Sequence, residues 1–217
     1  MAPEVEQMRN ILLGAQSSLP AQARMTALPV IDPLSKYYEL VLKWNKRLHL
    51  TTLTRPGEFF ERHILESAFS ESLILPTVNQ VWDLGSGLGV PGMVIAILRP
   101  DLDVNLVEVS HIKALFLEEA AAHLSLNNVK VVESRFESIE CLSEESCLTV
   151  RAIERMEKMI PEILRLGANS SQILILGAKN LEEKARALIP IDDMRKIESL
   201  LIPGSNRRYL INIFRST

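Results

Sequence analysis

Residues 81–92, VWDLGSGLGVPG, form the most informative segment of the chain. A short apolar run leads into three glycines at alternate positions, Gly85, Gly87 and Gly89, and a helical pattern follows. Glycine at such a turn permits positive φ and lets a ligand approach the backbone without a Cβ in the way. In an open parallel sheet, ligands bind beyond the carboxyl ends of the strands, where this loop would lie. The segment therefore predicts a ligand-binding loop after the first strand of an α/β sheet.

Short apolar runs and helical stretches alternate after this loop. Such alternation indicates a parallel sheet with helices on both faces. The predicted strands cover residues 81–84, 104–109, 129–132, 148–150 and 173–176. The predicted helices cover residues 91–98, 112–124, 156–166 and 181–188. At the end of the chain, runs 197–202 and 208–214 flank the turn sequence PGSN and predict an antiparallel hairpin.

The residues before the loop show helical periodicity. Asp32 and Pro33 predict a helix start, since proline suits the first helical turn. Apolar positions up to Leu48 then repeat at the spacing of one helix face, and a second helix is predicted from Pro56 to Leu75. We therefore expect a helical N-terminal cap, residues 1–78, followed by an α/β domain, residues 79–217.

The composition is that of a folded protein. The chain has 217 residues, of which 47% are hydrophobic and 24% charged, and its net charge of −3 excludes a disordered protein. Its apolar runs are too short to cross a bilayer, and its first residues lack the pattern of a secretory signal. Its two cysteines, Cys141 and Cys147, are typical of reduced thiols in a cytoplasm. We expect a cytoplasmic monomer that holds no metal ion.

Two cofactor classes fit the glycine loop. Gly87, Gly89 and Gly92 match the G-x-G-x-x-G pattern of dinucleotide binders, with Glu108 at a suitable distance along the chain to bind a ribose. However, Asp83 would place negative charge beside a pyrophosphate, and Pro91 removes a backbone N–H that a pyrophosphate needs. S-adenosylmethionine lacks phosphates, so its ammonium and sulfonium can face Asp83 while Glu108 accepts from the ribose hydroxyls. The segment favours S-adenosylmethionine, and a nucleotide-dependent oxidoreductase is the alternative.

Several segments from Trp44 onward match the motifs of one enzyme family. They are residues 44–51 (WNKRLHLT), 63–67 (HILES), 83–92 (DLGSGLGVPG), 134–137 (SRFE), 150–152 (VRA), 178–179 (AK) and 208–210 (RYL). On these segments the chain resembles the RsmG (GidB) family, the small-subunit ribosomal RNA guanine-N7 methyltransferases.

The resemblance implies a class I, Rossmann-like methyltransferase that acts on guanine N7 of 16S ribosomal RNA, free or in the small subunit. It also implies cofactor contacts at Gly85, Val90, Glu108, Val109, Ser110, Phe136, Glu137 and Arg151. The chain departs from the family pattern in five places: His49 for asparagine, Glu66 and Glu108 for aspartate, Val150 for serine and Asn180 for glycine.

Two of these cofactor candidates, Arg151 and Phe136, have alternative interpretations. Arg151 should point into the cleft and hold a carboxylate or a phosphate, or else form a surface salt bridge with Glu154 or Glu157. Glu137 can receive the adenine amino group. Phe136 can pack on the adenine ring, or else belong to the core.

Basic side chains in the cap are candidates for RNA contact. Six basic and three acidic residues lie between Lys36 and Arg62, so this stretch is locally positive on an acidic protein. Lys46 and Arg47 should face solvent, and Arg62 could join them at the mouth of the cleft. Further candidates are Lys179, Arg207 and Arg208. A solvated helix face is the alternative.

We assign no catalytic residue. Guanine N7 carries an exposed lone pair at neutral pH, so its attack on a sulfonium methyl needs no general base. Positioning and electrostatics remain as the sources of rate enhancement. A non-catalytic RNA-binding or ribosome-assembly factor that retains the cofactor loop is the alternative outside the enzymes.

Overall fold

The computed structural model describes residues 2–15, 28–140, 142–152, 156–190 and 193–215. Its strands are β1 (Gln80–Leu84), β2 (Asp103–Glu108), β3 (Val129–Glu133), β4 (Ser146–Arg151), β5 (Gln172–Gly177), β6 (Arg195–Leu201) and β7 (Tyr209–Arg215). Within the described ranges they form one sheet in the order β3-β2-β1-β4-β5-β7-β6. Strands β1 to β5 are parallel, and β7 runs antiparallel to both β5 and β6. The predicted α/β sheet with a C-terminal antiparallel hairpin is confirmed.

Burial along the strands follows their position in the sheet. The central strands β4 and β5 are buried over all but their last residue. Both faces of such strands are covered by helices, which explains the continuous apolar run at residues 173–176 of β5. The edge strand β6 consists of half-buried and exposed residues.

The cap contains four α-helices within the described residues. They are α1 (Pro3–Gly14), α2 (Leu28–Leu48), α3 (Pro56–Phe59) and α4 (Glu66–Ser72), with a π-helical stretch, Phe60–Leu65, between α3 and α4. In the α/β part, α5 (Gly92–Leu98) and α6 (His111–His123) follow β1 and β2, while α7 (Met156–Leu166) and α8 (Asn180–Leu188) follow β4 and β5.

The cap packs directly on the α/β part. Helix α2 contacts α5 and α6, and α1 contacts α2. Tyr38 and Phe59 of the cap lie in the same hydrophobic cluster as Met93 and Phe116 of α5 and α6. A second cluster, which includes Ile160, lies where α7 and α8 cover the sheet. The division of the chain at residue 78 stays a prediction.

The predicted start of the long cap helix was wrong. Helix α2 already includes Leu28, and Pro33 lies inside it. Pro29 is the proline that occupies the first described turn, where a missing N–H costs no intrahelical hydrogen bond. Pro33 forfeits one bond to the carbonyl of Pro29. The second predicted helix also ends earlier than expected, at Ser72.

The structure bears on two expectations from the composition, the reduced cysteines and the lack of a membrane-spanning run. Cys147 is a buried free thiol whose pKa is raised by burial, and Cys141 lies outside the described residues. Among the helices that the structure describes, none is long and apolar enough to cross a membrane.

Candidate functional site

The glycine loop follows β1 at the carboxyl edge of the sheet. Gly85, Gly87 and Gly89 have φ values of 66°, 57° and 95°, which favour glycine. A Cβ on Gly87 would meet its nearest atom, the Gly85 carbonyl oxygen, at 3.8 Å, so this position borders open space. A Cβ on Gly89 would lie 3.0 Å from the Leu117 side chain. Gly87 therefore leaves room for a ligand, whereas Gly89 permits close packing.

Glu108, the last residue of β2, holds the glycine loop. Its Oε2 accepts the Gly87 N–H at 2.8 Å, and its Oε1 accepts the Ser110 N–H at 2.9 Å. A carboxylate offers about four acceptor positions, so Glu108 keeps capacity for the hydroxyls of a ligand. Next to it, the Val109 side chain is 61% exposed at the same edge of the sheet.

Asp83 lies beneath the loop, with 1% of its surface exposed. Its Oδ1 accepts from the Thr149 hydroxyl at 2.9 Å, and its Oδ2 accepts from the N–H of Gly92, the first residue of α5, at 3.3 Å. Burial raises the pKa of Asp83 to about 6, against these hydrogen bonds. A Cβ on Gly92 would approach Asp83 Oδ2 to 2.9 Å, which explains a glycine there. Direct contact of Asp83 with a cofactor stays a prediction.

The other predicted cofactor residues lie at neighbouring strand ends. Val90 is buried in the loop beside Pro91. Phe136 and Glu137 lie in a short 3-10 turn that follows β3. Phe136 is half-buried against the core cluster beneath it, and Glu137 is exposed. The carboxyl edge thus places the predicted residues on four adjacent parallel strands.

Arg151, at the end of β4, points at the cap. Its guanidinium donates to the Arg62 carbonyl oxygen at 2.7 Å and to His63 Nδ1 at 3.2 Å. A Glu66 oxygen lies 3.4 Å away. Burial, and then the charge of Arg62, lower the pKa of Arg151 to about 10. The surface pair with Glu157 does not form, because Glu157 binds Lys184, and Glu154 lies outside the described residues.

His63 connects Arg151 to the rest of the cap motif. Arginine can only donate, so His63 Nδ1 accepts from Arg151, and its Nε2 donates to the Thr51 hydroxyl at 3.0 Å. The Asn45 side chain binds both the N–H and the carbonyl of Thr51 at 2.9 Å. Burial, and next Arg151, lower the pKa of His63 to about 3, so the ring is neutral. The two cap motifs thus form one network that supports Arg151.

Glu66 is the centre of an ionic cluster at the same edge. Its carboxylate is 2% exposed and contacts Arg62 Nε at 3.2 Å, Arg151 Nη2 at 3.4 Å and Arg208 Nη1. We call these four residues the Glu66 cluster. Burial, and next Arg62, lower the pKa of Arg208 to about 10. Sequence reasoning named the three arginines separately but missed the carboxylate that joins them.

The remaining basic candidates, Lys46, Arg47, Lys179 and Arg207, lie outside the Glu66 cluster. Lys46 and Arg47 are exposed and line a groove with Glu119 of α6, while Arg62 belongs to the Glu66 cluster. Lys179 follows β5, with its Nζ 5.7 Å from the centroid of the Tyr209 ring. Arg207 is exposed just before β7.

Tyr37 is a functional candidate that the periodicity concealed. This fully buried residue of α2 donates its hydroxyl hydrogen to the Leu88 carbonyl oxygen, 2.5 Å away, inside the glycine loop. Burial raises the pKa of Tyr37. A buried tyrosine generally needs a partner for its hydroxyl, and that requirement was the available signal. The cap therefore holds the loop from above.

No group of three or more His, Cys, Asp or Glu side chains in the described ranges could hold a metal ion.

Comparison with known sequences identifies similar proteins over nearly the whole chain. A family profile described as rRNA small subunit methyltransferase G (GidB) matches residues 30–209. A Ribosomal RNA small subunit methyltransferase G from Xanthomonas oryzae pv. oryzae (strain KACC10331 / KXO85) is 34% identical, covering 97% of this chain and 95% of that protein. A protein of the same name from Xylella fastidiosa (strain 9a5c) is 32% identical, covering 83% and 85% of the two chains.

Solved structures resemble the fold at low sequence identity. The 23S rRNA methyltransferase ErmE is 14% identical with a TM-score of 0.55, covering 70% of this chain and 67% of that one. A precorrin-6y C5,15-methyltransferase from Geobacter metallireducens GS-15 is 17% identical with a TM-score of 0.54, covering 76% and 92%. These likenesses confirm the Rossmann-like methyltransferase fold.

Proposed function

The chain belongs to the ribosomal RNA small subunit methyltransferase G family, and from that premise we propose that it transfers a methyl group from S-adenosylmethionine to guanine N7 of 16S ribosomal RNA. The observation that carries this proposal is the open backbone at Gly87 beside the Glu108 carboxylate. It leaves space beside the backbone and spare acceptors at the edge where α/β proteins bind ligands.

The residues around the loop fit S-adenosylmethionine. Glu108 would accept from the ribose hydroxyls, and the exposed Val109 with the half-buried Phe136 would contact the adenine faces. Backbone groups at Gly85 and Gly87 would approach the methionine portion. When bound, the cofactor supplies an electrophilic methyl group on its sulfonium.

The chain's own residues supply positioning and not base catalysis. Guanine N7 has a free lone pair, so nothing need be deprotonated. His63 is the histidine next to Arg151, yet it is neutral, buried and hydrogen-bonded through both nitrogens. Holding the base in line with the methyl group can supply several kcal/mol of the barrier reduction.

RNA would enter over the basic side chains at the carboxyl edge. Arg62 and Arg208 of the Glu66 cluster, and Lys179 beside Tyr209, are candidates there. Lys46 and Arg47 would form a second contact region on the cap. We further propose a cytoplasmic monomer, because ribosomal subunits are the expected partner and the predicted cofactor residues come together at one edge of a single chain.

The test is methyl transfer to small subunits. Protein-depleted small subunits that lack the modification are incubated with labelled S-adenosylmethionine, and the modified base is then mapped. We expect one labelled guanine, modified at N7. The single-turnover rate should not rise with pH between about pH 6 and 9, because no group has to be deprotonated for the reaction. A rate that rises tenfold per pH unit would indicate another target atom. Cofactor binding without any transfer would favour the RNA-binding factor.

A further inference from the structure

The Glu66 cluster contains more positive than negative charge. One carboxylate faces three guanidinium groups, and the adjoining His63 is neutral. Glu61 attracts Arg208 and Asp83 attracts Arg151 only at longer range, since the ion pairs of the cluster are all made with Glu66. The Glu66 carboxylate is 2% exposed, so it lies behind the arginines and away from solvent. An anion would complete this arrangement from the outside.

The three arginines differ in what they can offer such an anion. Arg151 has a side chain that is 10% exposed, and it is already bound to the Arg62 carbonyl, His63 and Glu66. Arg62 and Arg208 have side chains that are 41% and 23% exposed. Both contact the same oxygen of Glu66, Oε1, so their guanidinium groups lie side by side. Each guanidinium has five N–H donors, and those on the solvent side can bind an anion.

The position of this pair favours the substrate over the cofactor. Arg208 immediately precedes β7, which lies three strands from β1 in the sheet. At the ordinary strand spacing its backbone is about 14 Å from β1, and its side chain extends back to Glu66 beside the end of β4. Arg62 belongs to the cap, and its Nε contacts the same Glu66 oxygen as Arg208. A group bound by both would therefore lie on the β4 and β7 side of the edge, away from Glu108 on β2, where the proposed function places the RNA.

We propose that Arg62 and Arg208 together bind one backbone phosphate of the RNA, and that buried Glu66 holds the two guanidinium groups in position. The inference rests on the proposed function and names one substrate contact of that site. Two forked guanidinium groups suit the oxygens of a phosphodiester, which they can bind through several parallel hydrogen bonds. Such a contact positions RNA without reading its sequence.

The sharing of one phosphate can be tested by salt dependence. The affinity for protein-depleted small subunits is measured over a range of salt concentrations for Arg62→Gln, Arg208→Gln and the double variant. We expect each single change to lower the affinity about tenfold and the log–log salt slope by about 0.7–0.9, the value for one contact. The double variant should lose no more slope than either single one. S-adenosylmethionine affinity should change less than about twofold in all three, since the pair lies away from the cofactor loop.

Lys196→Gln is the matched control. It removes one positive charge from an exposed position of the edge strand β6. Lys196 lies opposite Phe214 in the strand register, at the end of the sheet away from the carboxyl edge. It should leave affinity and slope unchanged. Unchanged slopes in the arginine variants, or a double variant that loses twice the slope, would overturn the shared phosphate. A tenfold loss of S-adenosylmethionine affinity would assign the pair to the cofactor instead.

The positioning role of Glu66 has a readout of its own. Glu66→Gln makes the cluster more positive, so charge attraction alone would predict tighter RNA binding and no loss of methylation. If Glu66 positions the guanidinium pair, we expect a methylation rate at least about tenfold lower at saturating cofactor, because the pair loses its anchor. The rate should recover substantially in Glu66→Asp. Methylation by Glu66→Gln at the wild-type rate would contradict the role.

Lysine variants provide a second test of the phosphate contact. Where a glutamine variant does not fold, Arg62→Lys and Arg208→Lys keep the charge beside Glu66 but lose the fork. Lysine variants with wild-type affinity would overturn the proposal, and weakened ones support it. The salt slopes measure binding alone, so they are independent of turnover. Absence of methyl transfer by the wild type would contradict the proposed function and not the phosphate contact.

Discussion

The glycine loop and the Glu66 cluster lie on the same edge of the sheet but are built differently. The N–H groups of the loop bind residues close in the chain, such as Glu108, which is 21 positions from Gly87, whereas the loop's contact with Tyr37 of the cap spans 51 positions. In the cluster, Arg62 and Glu66 are four positions apart, but Arg151 and Arg208 come from distant parts of the chain, and Arg62 and Arg151 are 89 positions apart. The loop is held largely through backbone N–H groups, whereas the cluster consists of ionised side chains from the cap, β4 and the approach to β7.

This difference separates two ways of making a binding site. Backbone donors and positive φ angles need particular residue types at fixed spacing, and they leave a motif in the sequence. Ionic clusters need only charged side chains that folding brings together, and the same side chains are common on any surface. The cofactor side is therefore local in origin, and the substrate side is assembled from the whole chain.

The largest effect is expected from breaking the loop itself. Gly87→Val should abolish S-adenosylmethionine binding, because a branched side chain would fill the open space and valine is strained at a φ of 57°. Isothermal calorimetry measures the loss. Gly57→Ala, on α3 with nothing within 4 Å of the added Cβ, is the control and should bind normally. Normal binding by Gly87→Val would place the ligand elsewhere.

Removal of the carboxylate beside the loop should have an intermediate effect. Glu108→Ala loses the anchor of Gly87 and the acceptor for the ribose, so we expect cofactor binding weaker by about 1–3 kcal/mol. Glu133→Ala removes the exposed carboxylate at the end of β3 and should bind like the wild type. Equal losses in both variants would show that general charge, and not the Glu108 geometry, is responsible.

The cap groove offers a weaker test of the substrate side. Lys46→Gln with Arg47→Gln should lower the log–log salt slope for RNA by about 0.7–0.9 per lost phosphate contact and reduce methylation several-fold. Cofactor affinity should stay near the wild-type value, because both residues line the groove with Glu119 and not the loop. Unchanged methylation and salt slope would show a solvated helix face, leaving the Glu66 cluster and Lys179 as the RNA contacts.

The raised pKa of Asp83 predicts a pH dependence of cofactor binding. Its pKa is raised to about 6, so the carboxyl is protonated and neutral at pH 5 and ionised at pH 7. If the positive methionine portion lies near it, cofactor affinity should rise by up to about tenfold from pH 5 to 7. Calorimetry at several pH values measures this change, and Asp83→Asn should flatten it. A flat wild-type profile would limit Asp83 to its bonds with Thr149 and Gly92.

The smallest expected effect concerns the cap backbone. His49 has a φ of 48°, in the left-handed region that asparagine tolerates better than histidine. His49→Asn should raise the free energy of unfolding by about 0.5–1 kcal/mol and the Tm by a few degrees. His123→Asn at the end of helix α6 changes the same residue types in a helical backbone and should not stabilise. An equal rise in Tm for His49→Asn and His123→Asn would show that the stabilisation comes from the change of side chain and not from the backbone conformation at residue 49.

Local patterns in the sequence were enough for the sheet and the cofactor loop. Alternating apolar runs and helical stretches predict the strands, because neighbouring strands and their connecting helices are close in the chain. The start of α2 was misplaced since Pro29 and Pro33 carry the same signal, and only packing distinguishes a first-turn proline from an internal one. The motif residues Asn45, Thr51 and His63 were recognised without their roles.

Folding in three dimensions assigned those roles. The hydrogen bond from Tyr37 to Leu88 joins residues 51 positions apart, and a tyrosine on an apolar helix face gives no sign of its partner. Glu66 is an ordinary acidic helix residue in one dimension, yet it becomes the buried counterion of three arginines when the cap closes on β4 and β7. Spacing along the chain specifies contacts made through the backbone of one βα unit. Contacts between charged side chains depend on which surfaces meet, and that is set by the packing of the cap on the sheet.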